Sequence, residues 1–300
     1  MGVSLSLFLK QYPYVFHGNA KNGCPVSYLQ AGHLDAEGVL CLINMERIPI
    51  FFWNQYMHIL DKKIADGRTK NPNFRRCEAV NVLDLKGLTR AQINNDSLDV
   101  FKVVGQITKS FPETMHCCVI VNAPSFFTIA WKLIKQFIDA RTSSKIEIYS
   151  SSKEGKNRLL ELIDGKSVPS DYGGSAPSMS SLISKNHQTV GDDAASWQIS
   201  KLMYVRSGKK KAKFEFEIPA GGPPVSFQVH TRCASGATFS FFKDSELLKE
   251  VVVTNSTNDV GAYSKEVISE LEGPGKFRVE ANALAKAGYF MLVGNSSEGN

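Results

Sequence analysis

The side chains of this 300-residue chain that could take part in chemistry do not match a known catalytic set. Asp164-Gly165-Lys166-Ser167 resembles the end of a phosphate-binding loop, but that loop needs a glycine at position 160, where this chain has leucine. Ser175 follows two glycines, yet Pro177 stands where a nucleophile elbow requires glycine. The six histidines are scattered singly along the chain. We therefore predict that the protein is not an enzyme.

Glu113, Thr142 and Lys145 offer a different chemistry, the binding of a polar ligand. Glu113 lies just before one predicted strand and Lys145 lies at the start of another, with Thr142 three residues earlier. The starts of parallel strands meet at one edge of a sheet, so these side chains should come together. The alternative is a solvent-exposed Glu–Lys pair, which contributes little by itself.

The six cysteines predict neither a metal site nor a redox motif, and we expect no cofactor. They include no CxxC pair and no nearby histidine at the spacing of zinc ligands. Cys117 and Cys118 lie in an apolar run, where small hydrophobic side chains are favoured. We expect the cysteines to be reduced and mostly buried.

The elements that must position these residues alternate between strands and helices as far as Gly174. Short runs of β-branched residues predict strands at 26–29, 79–85, 117–121 and 146–149. Apolar periodicity predicts helices near 49–65, 97–110, 126–140 and 153–163. This alternation is typical of an α/β domain with a mostly parallel sheet.

The composition changes after Gly174. Residues 175–195 are rich in Ser, Gly, Asn and Asp, which predicts a linker. Beyond it, short alternating segments predict an all-β sandwich with strands near 213–218, 225–231, 238–242, 250–254, 275–281 and 288–293. The predicted organisation is an α/β domain at 1–174, the linker, a β-sandwich at 196–296 and a tail at 297–300.

The order of motifs in the first domain resembles the CRAL-TRIO lipid-binding family of the phosphatidylinositol-transfer class. Phe111-Pro112-Glu113 leads through Cys117 to Val121 into Asn122-Ala123-Pro124, and Thr142 to Ile146 and Pro169 to Gly174 follow. The β-rich part resembles a GOLD domain, with Gly273 to Phe277 before a strand and Gly288-Tyr289-Phe290 near the end. The combination resembles patellins and tocopherol-associated proteins, without the small helical domain that usually comes first, so the chain is either a shortened form or a variant.

The resemblance implies a function in binding a lipid and transferring it between membranes. In members that bind phosphatidylinositol, the positions of Glu113, Thr142 and Lys145 contact the inositol phosphate head group. The chemistry fits, since an ammonium group binds phosphate and a carboxylate or hydroxyl binds ring hydroxyls. Two departures concern the ligand: Cys24 replaces an arginine, and Ala79 and Asn81 replace the hydroxyl residues that hold choline lipids.

The helix after Pro124 is implied to be the gate of the lipid pocket. Ala130, Leu133, Ile134 and Phe137 recur at helical spacing, and Trp131 and Ile138 widen the apolar face. The residues that we predict for the gate and the apolar pocket are Phe126, Phe127, Ala130, Trp131, Leu133, Ile134, Phe137 and Ile138. Such a stripe is also typical of simple core packing.

The charge distribution suggests an anionic membrane surface as a partner. Residues 1–174 carry 21 Lys+Arg against 16 Asp+Glu, and the remainder carries 14 against 13. Lys209, Lys210, Lys211 and Lys213 form a basic patch that we expect to contact membranes. No nucleic-acid partner is expected. No secretory signal or 18-residue apolar span is found, so we expect a cytoplasmic protein peripheral to membranes, with a role in Golgi or endosomal trafficking.

Other interpretations of the sequence remain open. The ligand could be a tocopherol, a retinoid or a sterol precursor, which would need an apolar pocket but not Glu113 or Lys145. The pocket could be vestigial in an adaptor that binds trafficking proteins through the β-sandwich. Gly2 lies in a degenerate N-myristoylation pattern, which competes with a short amphipathic helix.

Overall fold

The computed structural model describes residues 5–189, 197–208, 210–232, 235–254 and 263–296. These residues form two compact units. The first, which we call the α/β unit, comprises 9–36 and the described part of 46–191, and the second, the β unit, comprises the described parts of 1–8, 37–45 and 192–300. Gly2, Lys209 and the predicted tail lie outside the described residues, as does 190–195 of the predicted linker.

The helices are α1 (Leu5–Gln11), α2 (Ala36–Leu42), α3 (Ile48–Asn54), α4 (Asp61–Lys70), α5 (Asn95–Thr108), α6 (Phe127–Ile134), α7 (Ala140–Ser144), α8 (Ser152–Leu162) and α9 (Met179–Thr189). A π-helical segment, Gln55–Leu60, joins α3 to α4. Side chains begin several helices: Asn94 accepts a hydrogen bond from the Ser97 backbone N–H at α5, and Ser151 accepts one from Glu154 at α8.

The α/β unit contains a five-stranded sheet of β1 (Tyr14–Asn19), β2 (Pro25–Leu29), β3 (Ala79–Asp84), β4 (Met115–Val121) and β5 (Ile146–Ile148), in that spatial order. β1 pairs antiparallel with β2, whereas β2 to β5 are parallel. The mostly parallel sheet confirms the predicted fold class. The antiparallel edge strand β1 was not predicted.

Both faces of this sheet are buried. Val119 and Val121 pack in one core cluster with Leu159 of α8, and Cys118 and Ile120 pack in another with α6. Successive residues of a strand point to opposite faces, so an uninterrupted apolar run suits a strand that is covered on both sides.

The predicted linker at 175–195 is wrong in part, because α9 occupies Met179–Thr189. Met179 and Leu182 are buried in the same core cluster as Leu159. The Ser-rich composition concealed an apolar pair at helical spacing. The predicted domain bounds also differ at α2, since residues 37–45 group with the β unit rather than the α/β unit.

The β unit is built from two antiparallel four-stranded sheets, as the predicted all-β sandwich requires. Its strands are β6 (Trp197–Val205), β7 (Ala212–Ile218), β8 (Val225–Thr231), β9 (Ala237–Lys243), β10 (Glu246–Val253), β11 (Tyr263–Leu271), β12 (Gly275–Ala283) and β13 (Gly288–Ser296). The sheet orders are β10-β9-β12-β7 and β11-β8-β13-β6. β6 and β11 were not predicted.

Aromatic residues from both sheets fill the core of the β unit. Phe239 of one sheet meets Phe290 of the other with ring centroids 5.7 Å apart, and Phe216 meets Phe227 at 5.1 Å. Strands β8 and β9 contribute alternate residues to this core, which is how two sheets share one apolar layer.

Candidate functional site

The α/β unit contains a cavity of about 550 Å³ beside its sheet. Ala79, Asn81 and Leu83 of β3 line its floor, and α3, α5 and the segment 109–115 contribute walls. Cavities that hold small organic ligands have similar volumes. We call this space the main cavity.

The polar residues at the rim of the main cavity form a cluster around Glu113. The Glu113 carboxylate lies 3.1 Å from Nε of Arg141 and 3.2 Å from Nζ of Lys145. Lys145 also donates to the Met115 carbonyl oxygen at 2.8 Å, which fixes its direction. Nearly half of the Glu113 side chain is exposed, so a solute at the rim can reach these charges.

Parallel strands bring these residues together, as the sequence led us to expect. Glu113 precedes β4 and Lys145 precedes β5, and the two strands are parallel neighbours. Glu113 has φ of 58°, in the left-handed region that non-glycine residues seldom adopt. The loop before β4 therefore holds the Glu113 backbone in an unfavourable conformation. This conformation sets the position of the carboxylate.

Thr142 also lines the main cavity, but its hydroxyl already has a partner. The hydroxyl donates to Asp139 Oδ2 at 2.7 Å, and the Thr142 backbone N–H donates to Asp139 Oδ1 at 2.8 Å. These hydrogen bonds lower the pKa of Asp139. Asp139 thus caps α7 and orients Thr142, whose oxygen can still accept a hydrogen bond from a ligand.

Sequence reasoning missed Arg141, Asp139 and Lys109, which also line the main cavity. Two signals were available. Asp139 stands three residues before Thr142, which is the spacing of a helix N-cap and its N3 residue. Arg141 stands four residues before Lys145. Residues four apart lie on the same side of a helix, so the two cations at the start and the end of α7 are neighbours.

Aromatic side chains provide much of the remaining wall. Tyr12, Tyr14, Phe51, Tyr56 and Phe111 line the main cavity, and the rings of Tyr56 and Phe111 stack with centroids 4.6 Å apart. Burial raises the pKa of the Tyr12 and Tyr14 phenols above the ordinary value, so both are neutral at physiological pH. The wall can therefore pack against uncharged, apolar groups.

One polar pair lies among these apolar groups. Ser27 on β2 donates to Asn81 Oδ1 on β3 at 2.7 Å, and both residues line the main cavity. Asn81 and Ala79 are the positions where the family resemblance implies hydroxyl residues for choline lipids. An alanine and an amide provide no hydroxyl at these two positions.

The predicted gate residues separate into an inner and an outer group. Phe127, Ala130 and Ile134 are buried and line a second cavity of about 60 Å³. Trp131 and Ile138 are partly buried against the core cluster that contains these three residues. Phe126 and Phe137 are also partly buried. None of the eight predicted gate residues lines the main cavity.

The predicted pocket-facing stripe is wrong at Leu133, because the side chain of this residue is 41% exposed. Ile129, one turn earlier on α6, is 69% exposed. The helix turns by 100° per residue, so these two side chains share the face opposite the one that packs on the sheet. The outer face of α6 therefore exposes more apolar side chains than the sequence indicated. The inner face buries fewer of the predicted residues.

The predicted basic patch meets a carboxylate where the structure describes it but keeps a net positive charge, because Lys211, Lys213 and Arg278 share the single carboxylate of Glu280. Lys211 and Lys213 lie 3.2 Å and 3.4 Å from the two oxygens of Glu280 on the neighbouring strand β12. Lys210 is exposed. The cross-strand carboxylate was not foreseen, because it comes from a distant part of the sequence.

Potential metal ligands also occur outside the main cavity. Cys24, Glu78 and His116 place their ligand atoms within 4.8 Å of one another.

In the part of the chain that the structure describes, no helix has the length and apolar character needed to cross a bilayer.

Comparisons with known proteins agree with this architecture. Residues 9–174 match the family description "CRAL/TRIO domain". The phosphatidylinositol/phosphatidylcholine transfer protein SFH4 of Arabidopsis thaliana is 29% identical over 207 residues, which cover 67% of this chain and 32% of that protein. Protein real-time of Drosophila pseudoobscura is 28% identical, covering 58% of this chain and 26% of that protein.

The chain thus spans about a third or less of the length of these relatives. Among solved structures, that of Sfh5 is similar with a TM-score of 0.33 and 18% identity, covering 50% of this chain and 52% of that one. A GOLD domain is not named in these comparisons, so that assignment of the β unit stays a prediction.

Proposed function

This chain belongs to the CRAL/TRIO domain family, and from that premise we propose that it binds a phospholipid in the main cavity and transfers it between membranes without catalysing a reaction. The ligand that we propose is phosphatidylinositol or a phosphoinositide. The observation that carries this proposal is the cluster of Glu113, Arg141 and Lys145 at the rim of a largely aromatic cavity.

The cluster offers complementary groups for an inositol phosphate head group. Arg141 and Lys145 would bind the phosphate, because charge-assisted hydrogen bonds to phosphate are strong. Both cations share the single carboxylate of Glu113, so a phosphate can enter without leaving either cation unpaired. Glu113 and Thr142 would accept hydrogen bonds from ring hydroxyls.

The acyl chains would require more room than the main cavity provides, and α6 is the element proposed to supply it. Leu83 of β3 and Val104 of α5 line the main cavity. Leu85, just after β3, and Phe101, one turn before Val104 on α5, line the second cavity with α6. The two cavities therefore follow one another along the same elements. Outward movement of α6 would join them.

A preference for inositol over choline lipids is the finer part of the proposal. The name of SFH4 includes both lipids, but this chain has Ala79 and Asn81 on the cavity floor. Asn81 is already bonded to Ser27. We therefore propose that phosphatidylcholine is retained more weakly than phosphatidylinositol.

We further propose that the protein works at membrane surfaces from the cytoplasm, with Ile129 and Leu133 of α6 touching the bilayer. Exposed apolar side chains partition into the interfacial region of a bilayer. Of the predicted basic patch, Lys210, Lys211 and Lys213 are proposed as contacts with anionic lipid, since Lys211 and Lys213 share the single carboxylate of Glu280 and so keep a net positive charge. We also propose a role in trafficking, with protein partners that bind the β unit.

The test is the identity of the lipid that the protein retains. The purified chain is incubated with vesicles containing phosphatidylinositol and phosphatidylcholine in equal amounts, reisolated and extracted for mass spectrometry. We expect phosphatidylinositol in the native chain and at least tenfold less in Lys145→Ala, because the head group loses a charged partner. Lys153→Ala on α8, an exposed lysine outside the main cavity, is the matched control.

Each other outcome has a defined meaning. Equal retention by Lys145→Ala and Lys153→Ala would remove the head-group assignment. A neutral hydrophobic molecule retained by all three proteins would favour the tocopherol, retinoid or sterol class. Absence of any lipid would favour an adaptor with a vestigial pocket.

A further inference from the structure

Three residues that are far apart in the sequence meet at the starts of three adjacent strands. Cys24 directly precedes β2, Glu78 directly precedes β3, and His116 is the second residue of β4. Their ligand atoms, a thiol sulfur, a carboxylate oxygen and an imidazole nitrogen, all lie within 4.8 Å of one another. None of the three lines the main cavity.

An irregularity in the sheet creates this meeting point. Ala79 pairs with Met115 and Val80 pairs with Cys117, so His116 is an extra residue in β4. Such a bulge redirects a side chain from the ordinary alternation of the strand. It allows His116 Nδ1 to lie 3.0 Å from Glu78 Oε2, while Met115 still faces the main cavity.

We propose that Cys24, Glu78 and His116 form a binding site for Zn²⁺. Thiolate, imidazole and carboxylate are the three ligand types that proteins use for this ion. Tetrahedral zinc bonds of about 2.0 to 2.3 Å place ligand atoms about 3.5 Å apart. The three side chains therefore need to draw in by little more than one ångström at the longest separation.

Burial favours retention of an ion, and one side gives access. Cys24 is fully buried and the Glu78 side chain is 10% exposed, whereas the His116 side chain is 30% exposed. An ion can enter past His116 and then lie in surroundings of low polarity, where its attraction to the thiolate and carboxylate is strong. Oxygen-preferring ions such as Mg²⁺ are disfavoured because sulfur and nitrogen supply two of the three ligands.

Arg76 and Cys117 define the surroundings of the site. Arg76 lies 3.3 Å from Glu78 Oε2, but its side chain is 68% exposed and can withdraw when the carboxylate turns to an ion. Cys117 is buried in the same core cluster as Cys24. The fourth position of the ion can take water.

The experiment measures zinc binding by the full chain. The protein is stripped with a chelator, dialysed against a small excess of ZnCl₂ and assayed for bound zinc by mass spectrometry. Co²⁺ then serves as a spectroscopic probe, because a cysteine ligand gives a thiolate-to-cobalt charge-transfer band. We expect about one zinc per chain and a cobalt band that zinc abolishes.

Variants separate the site from other thiols and imidazoles. Cys24→Ser and His116→Gln should each weaken zinc binding at least tenfold, and Cys24→Ser should remove the cobalt band. The controls are Cys77→Ser and His33→Gln, two exposed residues outside the cluster, which should bind zinc as the native chain does. His116→Gln keeps the test decisive if Cys24→Ser, at a fully buried position, does not fold.

Two results would overturn the proposal. Failure of the native chain to retain zinc or to give the cobalt band would reduce the cluster to an Arg76–Glu78–His116 ion-pair network. Loss of zinc in Cys77→Ser or His33→Gln, with unchanged binding in Cys24→Ser and His116→Gln, would place the ion at the surface. Neither result depends on which lipid the protein carries.

Discussion

At the residue scale, Glu113 combines a strained backbone with a central place in the candidate site. Its φ of 58° lies in the left-handed region, which costs a non-glycine residue on the order of 1 kcal/mol. Its side chain meets two cations at the cavity rim. Backbone strain at a charged residue beside a cavity is typical of a functional position.

Replacing Glu113 should therefore separate stability from function. Glu113→Gly removes the backbone cost, and the partly exposed ion pairs that it also removes contribute little to stability. We expect the free energy of unfolding to stay constant or rise by up to about 1 kcal/mol, while phosphatidylinositol retention falls several-fold. Denaturant titration and lipid extraction on the same preparations would measure both.

Ser245→Gly provides the control, because Ser245 has φ of 83° in a β unit turn far from this site in sequence. It should give the gain in stability with unchanged lipid retention. A marked loss of stability in Glu113→Gly with normal retention would contradict the functional assignment of Glu113.

At the element scale, α6 differs between its two faces in a way that suits a movable cover. Its inner face packs Phe127, Ala130 and Ile134 against the sheet, and its outer face exposes Ile129 and Leu133. Apolar side chains exposed on a helix cost free energy in water and gain it at a bilayer. Membrane contact would therefore stabilise α6 in an orientation away from the sheet.

The double variant Ile129→Ser/Leu133→Ser should lower membrane binding without harming the fold. Each side chain would lose on the order of 1 kcal/mol of interfacial burial, so vesicle binding of the double variant should weaken about thirtyfold. Flotation with vesicles and a lipid-transfer assay would measure this effect, and the melting temperature should shift little. An equal loss in Leu247→Ser, a similarly exposed position on β10, would show that the effect is not specific to α6.

At the scale of the whole molecule, each unit has its own apolar core, so the two can respond differently to pH. His230 is 7% exposed in the β unit and lies on β8 between β11 and β13. Burial lowers the pKa of His230 from 6.5 to about 4. The folded β unit therefore resists protonation that the unfolded chain accepts.

The β unit should lose stability as the pH falls from about 6.5 towards 4. A depressed histidine pKa means that the unfolded state binds the proton more tightly, so stability is full above pH 6.5 and declines below it. Between pH 7.5 and pH 5 the loss should be about 2 kcal/mol. Hydrogen exchange of β8 and β13 at both pH values would measure it.

His230→Gln should flatten this pH dependence, whatever its effect on stability at neutral pH, because glutamine does not titrate. The strands of the α/β unit serve as an internal control in the same exchange experiment. An unchanged pH profile in His230→Gln would assign the acid sensitivity to other groups.

The sequence by itself determined the fold class of both units. Apolar runs such as 117–121 specify a strand buried on both faces, and strict alternation at 213–218 specifies a strand with one wet face, because side-chain direction along a strand is local geometry. It also predicted that Glu113 and Lys145 lie together, since parallel strands start at one edge. What composition concealed was α9, where two apolar residues among serines were enough to reach the core.

Only the tertiary structure decided which distant partners these residues meet. Lys211 and Lys213 both pair with Glu280, and Leu133 faces outward, although their local patterns gave no sign of either. Cys24, Glu78 and His116 show no metal-binding spacing along the chain, yet three strand starts and one bulge bring them within 4.8 Å. Such contacts depend on the pairing of segments over 30 residues apart, and short-range periodicity contains no information about that pairing.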